Sequence, residues 1–175
     1  MLILLTGATG QVGRALLPRL LAAGHDVRCL VRPSQRTPNL PANVPVQLAL
    51  GRVEDERAVR GALAGVEAVI HLASAEWRGH RGNLVATDVE GTRLIASAAA
   101  EAGVKRLIYV SHLGADRASG YPVLKAKGIA EEFIRQSGVP YLVLRSAMLF
   151  GPEDRFVNVI ALLVKLAPGA LLLPS

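Results

Sequence analysis

A chain of 175 residues is the size of one α/β domain, and a 51% hydrophobic share against 19% charged residues excludes a disordered tail or a coiled coil. The net charge of +6 is scattered: Lys105-Arg106 is an isolated pair, Arg78, His80 and Arg81 share one loop, and the few aromatics offer no stacking platform, so no nucleic-acid partner is expected. Mean hydropathy is positive, yet the apolar runs break at Thr6-Gly7 and at Lys165 and Pro168, so no membrane span is expected either.

Leu2 to Leu5 is an apolar run ending in a glycine-rich turn, and Val12, Ala15, Leu16 and Leu20 then repeat at helical spacing up to Gly24. Pro18 falls inside that helix and removes one backbone donor, which predicts a local bend. Asp26 to Val31 is the second strand, and Pro33, Pro38, Pro41 and Pro45 make the next stretch a loop, expected to be mobile. Val46 to Leu50 is a third strand, Glu54 to Leu63 a short helix, and Ala68 to Leu72 an apolar run of the kind buried on both faces of a parallel sheet. One long helix is predicted from Asn83 to Ala102, stopped by Gly103. Leu107 to Ser111 is the fifth strand, Pro122 opens a helix that ends before Gly138, and Tyr141 to Leu144 is the sixth strand. Strands alternating with helices predict a doubly wound parallel sheet, a Rossmann fold in three α/β/α layers, with ligands beyond the carboxyl ends of the strands. The single Cys29 can form no internal disulfide and is expected to be a buried, inert thiol, which with no basic and apolar leader pattern suits a cytoplasmic location.

Thr6-Gly7-Ala8-Thr9-Gly10-Gln11-Val12-Gly13 sets glycines three residues apart between the first strand and the first helix. Gly7 permits the sharp turn, Gly10 lets backbone approach a pyrophosphate, and Gly13 lets the helix pack on the strand, while the helix N-terminus offers free amides. The segment formed by Gly7, Thr9, Gly10, Gln11, Val12 and Gly13 is therefore expected to hold a dinucleotide.

This turn resembles the T-G-x-x-G-x-x-G fingerprint of the extended and atypical short-chain dehydrogenase/reductase superfamily. Cys29 to Pro33, Ala68 to Ala73, Gly91-Thr92, Leu107 to Ser111, and Leu144-Arg145-Ser146 through Phe150 to Phe156 follow in that superfamily's order. The last stretch is similar to the branch of NmrA-like proteins and complex I accessory-subunit-like NAD(P)H-binding proteins, with Ser146 standing where that branch usually has proline. The resemblance implies that Leu72, Ala73 and Ser74 line the adenosine side of the cofactor. His71, within an apolar strand, is expected to be a satisfied core group.

Arg32 ends the second strand where an acidic residue would bind an unphosphorylated ribose; its planar fork suits a 2′-phosphate, favouring NADP over NAD, with Arg36 as a second phosphate partner. A solvated surface arginine is the alternative, which leaves NAD open. Arg52 stands where the family usually carries an aspartate toward the adenine. His25, His71, His80 and His112 share no ligand spacing, so no metal is expected. Ser111 and His112, at the end of the fifth strand, are candidates to touch substrate, with a strand-capping role as the alternative.

Tyr121-Pro122-Val123-Leu124-Lys125 spells Y-x-x-x-K, the spacing with which a lysine lowers a tyrosine pKa for proton transfer. Relatives place proline just before the tyrosine and glutamate four residues beyond the lysine; Pro122 and Glu131 satisfy this with Lys127, which puts Val123 at the tyrosine position. Both registers stay open, Tyr121 being the catalytic tyrosine in one and Lys127 the ribose-anchoring lysine in the other. Two functions follow: an NADP(H)-binding module with a cofactor-binding or redox-sensing role, or an NAD(P)-dependent oxidoreductase or sugar-nucleotide-type epimerase/dehydratase acting on an unknown small molecule. Residues 1–156 are expected to form the dinucleotide-binding domain and 157–175 the start of a truncated substrate-binding segment, whose exposed apolar end favours association between copies.

Overall fold

The computed structural model of the protein describes residues 1–33, 40–41, 44–76, 79, 82–151 and 154–166. Most of the proline-rich loop including Arg36, the basic positions Arg78, His80 and Arg81, and the chain from 167 onward lie outside the described residues.

Strands β1 (Leu2–Thr6), β2 (Asp26–Val31), β3 (Gln47–Leu50), β4 (Ala68–His71), β5 (Arg106–His112) and β6 (Tyr141–Ser146) form one parallel sheet in the order β3-β2-β1-β4-β5-β6. Helix α1 (Gln11–Ala22) links β1 to β2, α2 (Glu56–Ala62) precedes β4, α3 (Gly91–Glu101) precedes β5, and α4 (Pro122–Gln136) precedes β6. Alternation along β1 explains the layers. Ile3 and Leu5 face Leu17 of α1, whereas Leu4 faces Val59 of α2, Ile95 of α3 and Ile134 of α4, and all are buried. Each such side chain contributes about 1.5–3 kcal/mol on leaving water. Cys29 is fully buried on the α1 side, and burial pushes its thiol pKa up to about 11.

Glycine is required where layers meet closely. A Cβ on Gly128 in α4 would lie 2.4 Å from the backbone of Asp116 and Arg117, so that helix can seat against the loop after β5 only with glycine there. Pro122 opens α4 at a position whose amide has no helical partner, as its sequence context predicts.

The long helix expected from Asn83 to Ala102 is two pieces. Val85–Glu90 winds as a π-helix and α3 follows from Gly91. The wider turn accompanies inward-facing Asp88 and a Thr87 hydroxyl that donates to Glu54, and Gly91 lies against Val53, which a Cβ would strike at 2.7 Å. The apolar stripe alone carries no sign of this widening.

Candidate functional site

The chain leaves β1 toward β2 on one side and later returns to β4 on the other, so the crevice beyond the carboxyl ends of β1 and β4 is the topological switch point where ligands of such sheets bind. A cleft of about 480 Å³ runs there, from the end of β3 past the glycine turn to the end of β6.

The glycine turn forms its floor. Gly7 has φ +74°, and a Cβ there would meet the Leu72 and Ala73 backbone at 2.7–2.8 Å; one on Gly13 would meet the Gly7 carbonyl at 2.3 Å. Gly10 differs. Its nearest neighbour to a Cβ is the Gly7 carbonyl at 3.3 Å, its backbone is extended (φ −80°, ψ 170°), and it is exposed to the cleft. Gly10 is the N-cap of α1 with no side chain to occupy the first-turn amides, and no acidic residue lies in that turn, so the helix end offers donors and a positive dipole end to an anion. Donors around an open floor that a Cβ would fill fit a pyrophosphate.

Behind this floor Thr6 joins β1 to β4. Its Oγ1 accepts from the Leu72 and Ala73 amides at 3.3 Å and lies 2.6 Å from His71 Nδ1. With both acceptor positions used, the Thr6 proton goes to Nδ1, which puts the imidazole proton on Nε2 and makes it the donor to Thr92 Oγ1 at 3.0 Å. Burial, and then the nearby Lys127 charge, lower the His71 pKa to about 3, so the ring stays neutral. It is a satisfied core group, as its apolar strand implies.

Tyr109 stacks on His71, and Lys127 of α4 lies 5.1 Å above the Tyr109 ring. The Lys127 ammonium also sits 3.2 Å from Asp88 Oδ1, with the two side chains 7% and 0% exposed. Burial disfavours this ammonium, but Tyr109 and Asp88 more than offset it and hold its pKa above the ordinary lysine value. The second Asp88 oxygen accepts from the Ala75 amide at 2.9 Å, which pins the loop after β4.

Apart from Arg36, which lies outside the described residues, the cofactor-contact residues expected from the sequence line the cleft: Gly7, Thr9, Gly10, Gln11, Val12, Gly13, Arg32, Leu72, Ala73, Ser74 and Lys127. Ser111 and His112 line it too. The Ser111 hydroxyl, however, donates to Glu131 Oε1 at 2.6 Å, and His112 Nδ1 lies 2.8 Å from the Leu113 carbonyl. Tyr121 is the N-cap of α4, its side chain is 73% exposed, and neither it nor Lys125 nor Val123 lines the cleft. Ser146 lines it at the far end with Ala147, Met148 and Leu149, and its hydroxyl donates to the Ser111 carbonyl at 3.3 Å. Sequence reasoning missed Glu54, Thr87 and Asp88. Acidic and hydroxyl residues at inward positions of a helix or beside a strand end were the available signal.

Residues 7–162 match the profile of a family described as NAD(P)H-binding. The chain is 38% identical over 117 residues to sterol demethylase protein B of Methylococcus capsulatus, covering 66% of this chain and 35% of that protein. It is 31% identical over 156 residues to mitochondrial NADH dehydrogenase (ubiquinone) 1 alpha subcomplex subunit 9 of Mus musculus, covering 87% of this chain and 41% of that one. Among solved structures it is similar to the Bordetella bronchiseptica enzyme WbmG in complex with NAD, with TM-score 0.78 and 25% identity over 97% of this chain and 60% of the other. The chain thus spans well under half the length of these two curated relatives. It belongs to the NAD(P)H-binding family, within the atypical short-chain dehydrogenase/reductase superfamily.

Proposed function

We propose that this NAD(P)H-binding domain prefers NADP(H) to NAD(H) and serves as a cofactor-binding or redox-sensing module. Arg32 carries the cofactor preference: it stands exposed at the cleft rim, directly after β2, where a carboxylate would be needed for an unphosphorylated ribose. The α1 amides hold the pyrophosphate, Arg32 holds the 2′-phosphate, Leu72 to Ser74 border the adenosine half, and Lys127 anchors the nicotinamide ribose. When bound, the cofactor supplies a site that gives or accepts hydride. The module role is supported by the tyrosines' places: Tyr121 lies outside the cleft, and Tyr109, which packs under Lys127, is buried and does not line it, so among the described residues no cleft-lining tyrosine is there to donate a proton. Residues from Val157 onward open a substrate-binding segment.

A second reading is an NAD(P)-dependent oxidoreductase or epimerase/dehydratase, favoured by His112 and Ser111 at the cleft wall. One experiment separates the two. Nicotinamide fluorescence titrations should give roughly tenfold tighter NADPH than NADH, a difference that Arg32→Ala removes, as expected for about 1.5 kcal/mol of charge-assisted bonding. Equal affinities, or an unchanged ratio in the variant, sink the NADP assignment. Turnover of carbonyl or sugar-nucleotide substrates in the same samples transfers the function to the second reading.

A further inference from the structure

We infer that the far end of the cleft, at β5 and β6, is a subsite for a neutral, largely apolar alcohol whose hydroxyl donates to Nε2 of His112. This rests on the dinucleotide reading above and gives the ligand beyond the cofactor a chemical class.

The side-chain protons of this end are spent inside the fold. The Ser111 hydroxyl donates to Glu131 Oε1 at 2.6 Å, the Ser146 hydroxyl donates to the Ser111 carbonyl at 3.3 Å, and His112 Nδ1 lies 2.8 Å from the Leu113 carbonyl. A carbonyl oxygen only accepts, so Nδ1 carries the imidazole proton and the neutral ring keeps a lone pair on Nε2. Among the described residues Nε2 has no hydrogen-bond partner. A hydroxyl has one proton to give, so Ser146 Oγ likewise offers the cleft lone pairs alone. His112 and Ser146 are register partners across β5 and β6, which sets them side by side on one face of the sheet, and both are half-buried and line the cleft.

Two neighbouring acceptors require a donor from the ligand. A ketone or aldehyde brings only another acceptor, whereas the corresponding alcohol brings the missing proton. An ammonium donor would lack a counter-charge, since the acids that line the cleft, Glu54 and Glu76, stand in the loops after β3 and β4 and Lys127 already supplies positive charge. A diphosphate has no cation to meet either: the lining from β5, β6 and the loop after β6 includes no lysine or arginine, and Val110, Ala147, Met148 and Leu149 give it an apolar wall suited to a hydrocarbon frame.

The test titrates the wild-type chain, alone and saturated with the tetrahydro analogues of NADPH or NADH, which transfer no hydride. The probes are two matched pairs, cyclohexanol against cyclohexanone and α-methylbenzyl alcohol against acetophenone, with uridine diphosphate glucose as a charged polyol. Long-range proton–nitrogen correlation spectra follow the imidazoles, and the His112 signals are identified by their loss in His112→Ala. The neutral His112 ring should carry its proton on Nδ1, and each alcohol should shift the Nε2 resonance and bind about fivefold or more tighter than its ketone, as one neutral hydrogen bond provides. His112→Ala, its fold checked by melting temperature, should bind alcohol and ketone equally, and Ser146→Ala should keep the preference in reduced form. A proton on Nε2, a ketone bound as tightly as its alcohol, displacement of the alcohol by uridine diphosphate glucose, or His112 signals that no alcohol moves overturns the assignment. Failure to bind either cofactor analogue overturns the dinucleotide reading separately, because the His112 signals of the chain alone still report the alcohol.

Discussion

The three glycines of the phosphate turn do different work, and only one of them is free of the fold. Gly7 and Gly13 are enclosed by backbone at 2.3–2.8 Å from a notional Cβ, so alanine at either forces the turn apart. At Gly10 the nearest such contact is 3.3 Å and the backbone suits any residue. We therefore predict that Gly10→Ala changes unfolding free energy by under about 0.5 kcal/mol, the range of substitutions away from packed features. The same methyl should weaken NADPH binding at least tenfold, because it fills the space where the pyrophosphate meets the α1 amides. Matched denaturant melts and fluorescence titrations check both halves; unimpaired binding would mean the anion lies elsewhere. These glycine roles were legible in the sequence, since spacing and flanking elements fix them. The place of Lys127 rather than Lys125 in the cleft lining agrees with the register that Pro122 and Glu131 suggest. Glu54 was not legible, because its partner Thr87 stands 33 residues away and no local pattern announces that pairing.

At the scale of elements, Glu131 holds three of them together. From α4 its carboxylate accepts from Ser111 of β5, from both Nε and Nη2 of Arg145 in β6 at 2.9 and 2.7 Å, and from Arg135 one helical turn on. Burial favours its neutral form, but the Arg145 and Ser111 hydrogen bonds outweigh this and lower its pKa, so it is a carboxylate at neutral pH. Glu131→Ala should cost about 2–3 kcal/mol, since bonds to a buried charge are lost together. Arg145→Ala should cost only about 1 kcal/mol: its side chain is 45% exposed, and Ser111 and Arg135 still satisfy the glutamate. Urea unfolding of the two variants measures the order; a larger loss for Arg145→Ala contradicts it. The amphipathic stripes of α1 and α4 announced both helices and their buried faces. The π-turn before α3 escaped because the groups it packs on, Val53 and Glu54, come from the loop after β3, whereas its own residues keep an ordinary helical period.

For the molecule as a whole, the two sides of the sheet are unequally covered. Near β1 both faces are packed, but β6 ends the sheet with Leu142 and Leu144 43% and 48% exposed, and among the described residues no further strand pairs with its outer edge. Beyond it, α5 (Arg155–Leu166) exposes Val159, Ile160, Leu162 and Leu163, each 39–54% accessible, which is an apolar surface of the kind that marks an interaction face. Charge does not protect it: within the helix only its ends carry basic residues, Arg155 and Lys165, and no acidic residue occurs there. Water contact over so many aliphatic side chains is unfavourable by about 25 cal/mol per Å² of apolar area, so contact between copies should relieve it. The chain is predicted to self-associate as its concentration rises, with the change visible in sedimentation velocity between micromolar and hundred-micromolar samples. Leu162→Glu with Leu163→Glu should shift the chain toward monomer and leave NADPH affinity unchanged, since neither residue lines the cleft. A wild-type chain that stays monomeric across that range would show that these side chains find cover within their own molecule.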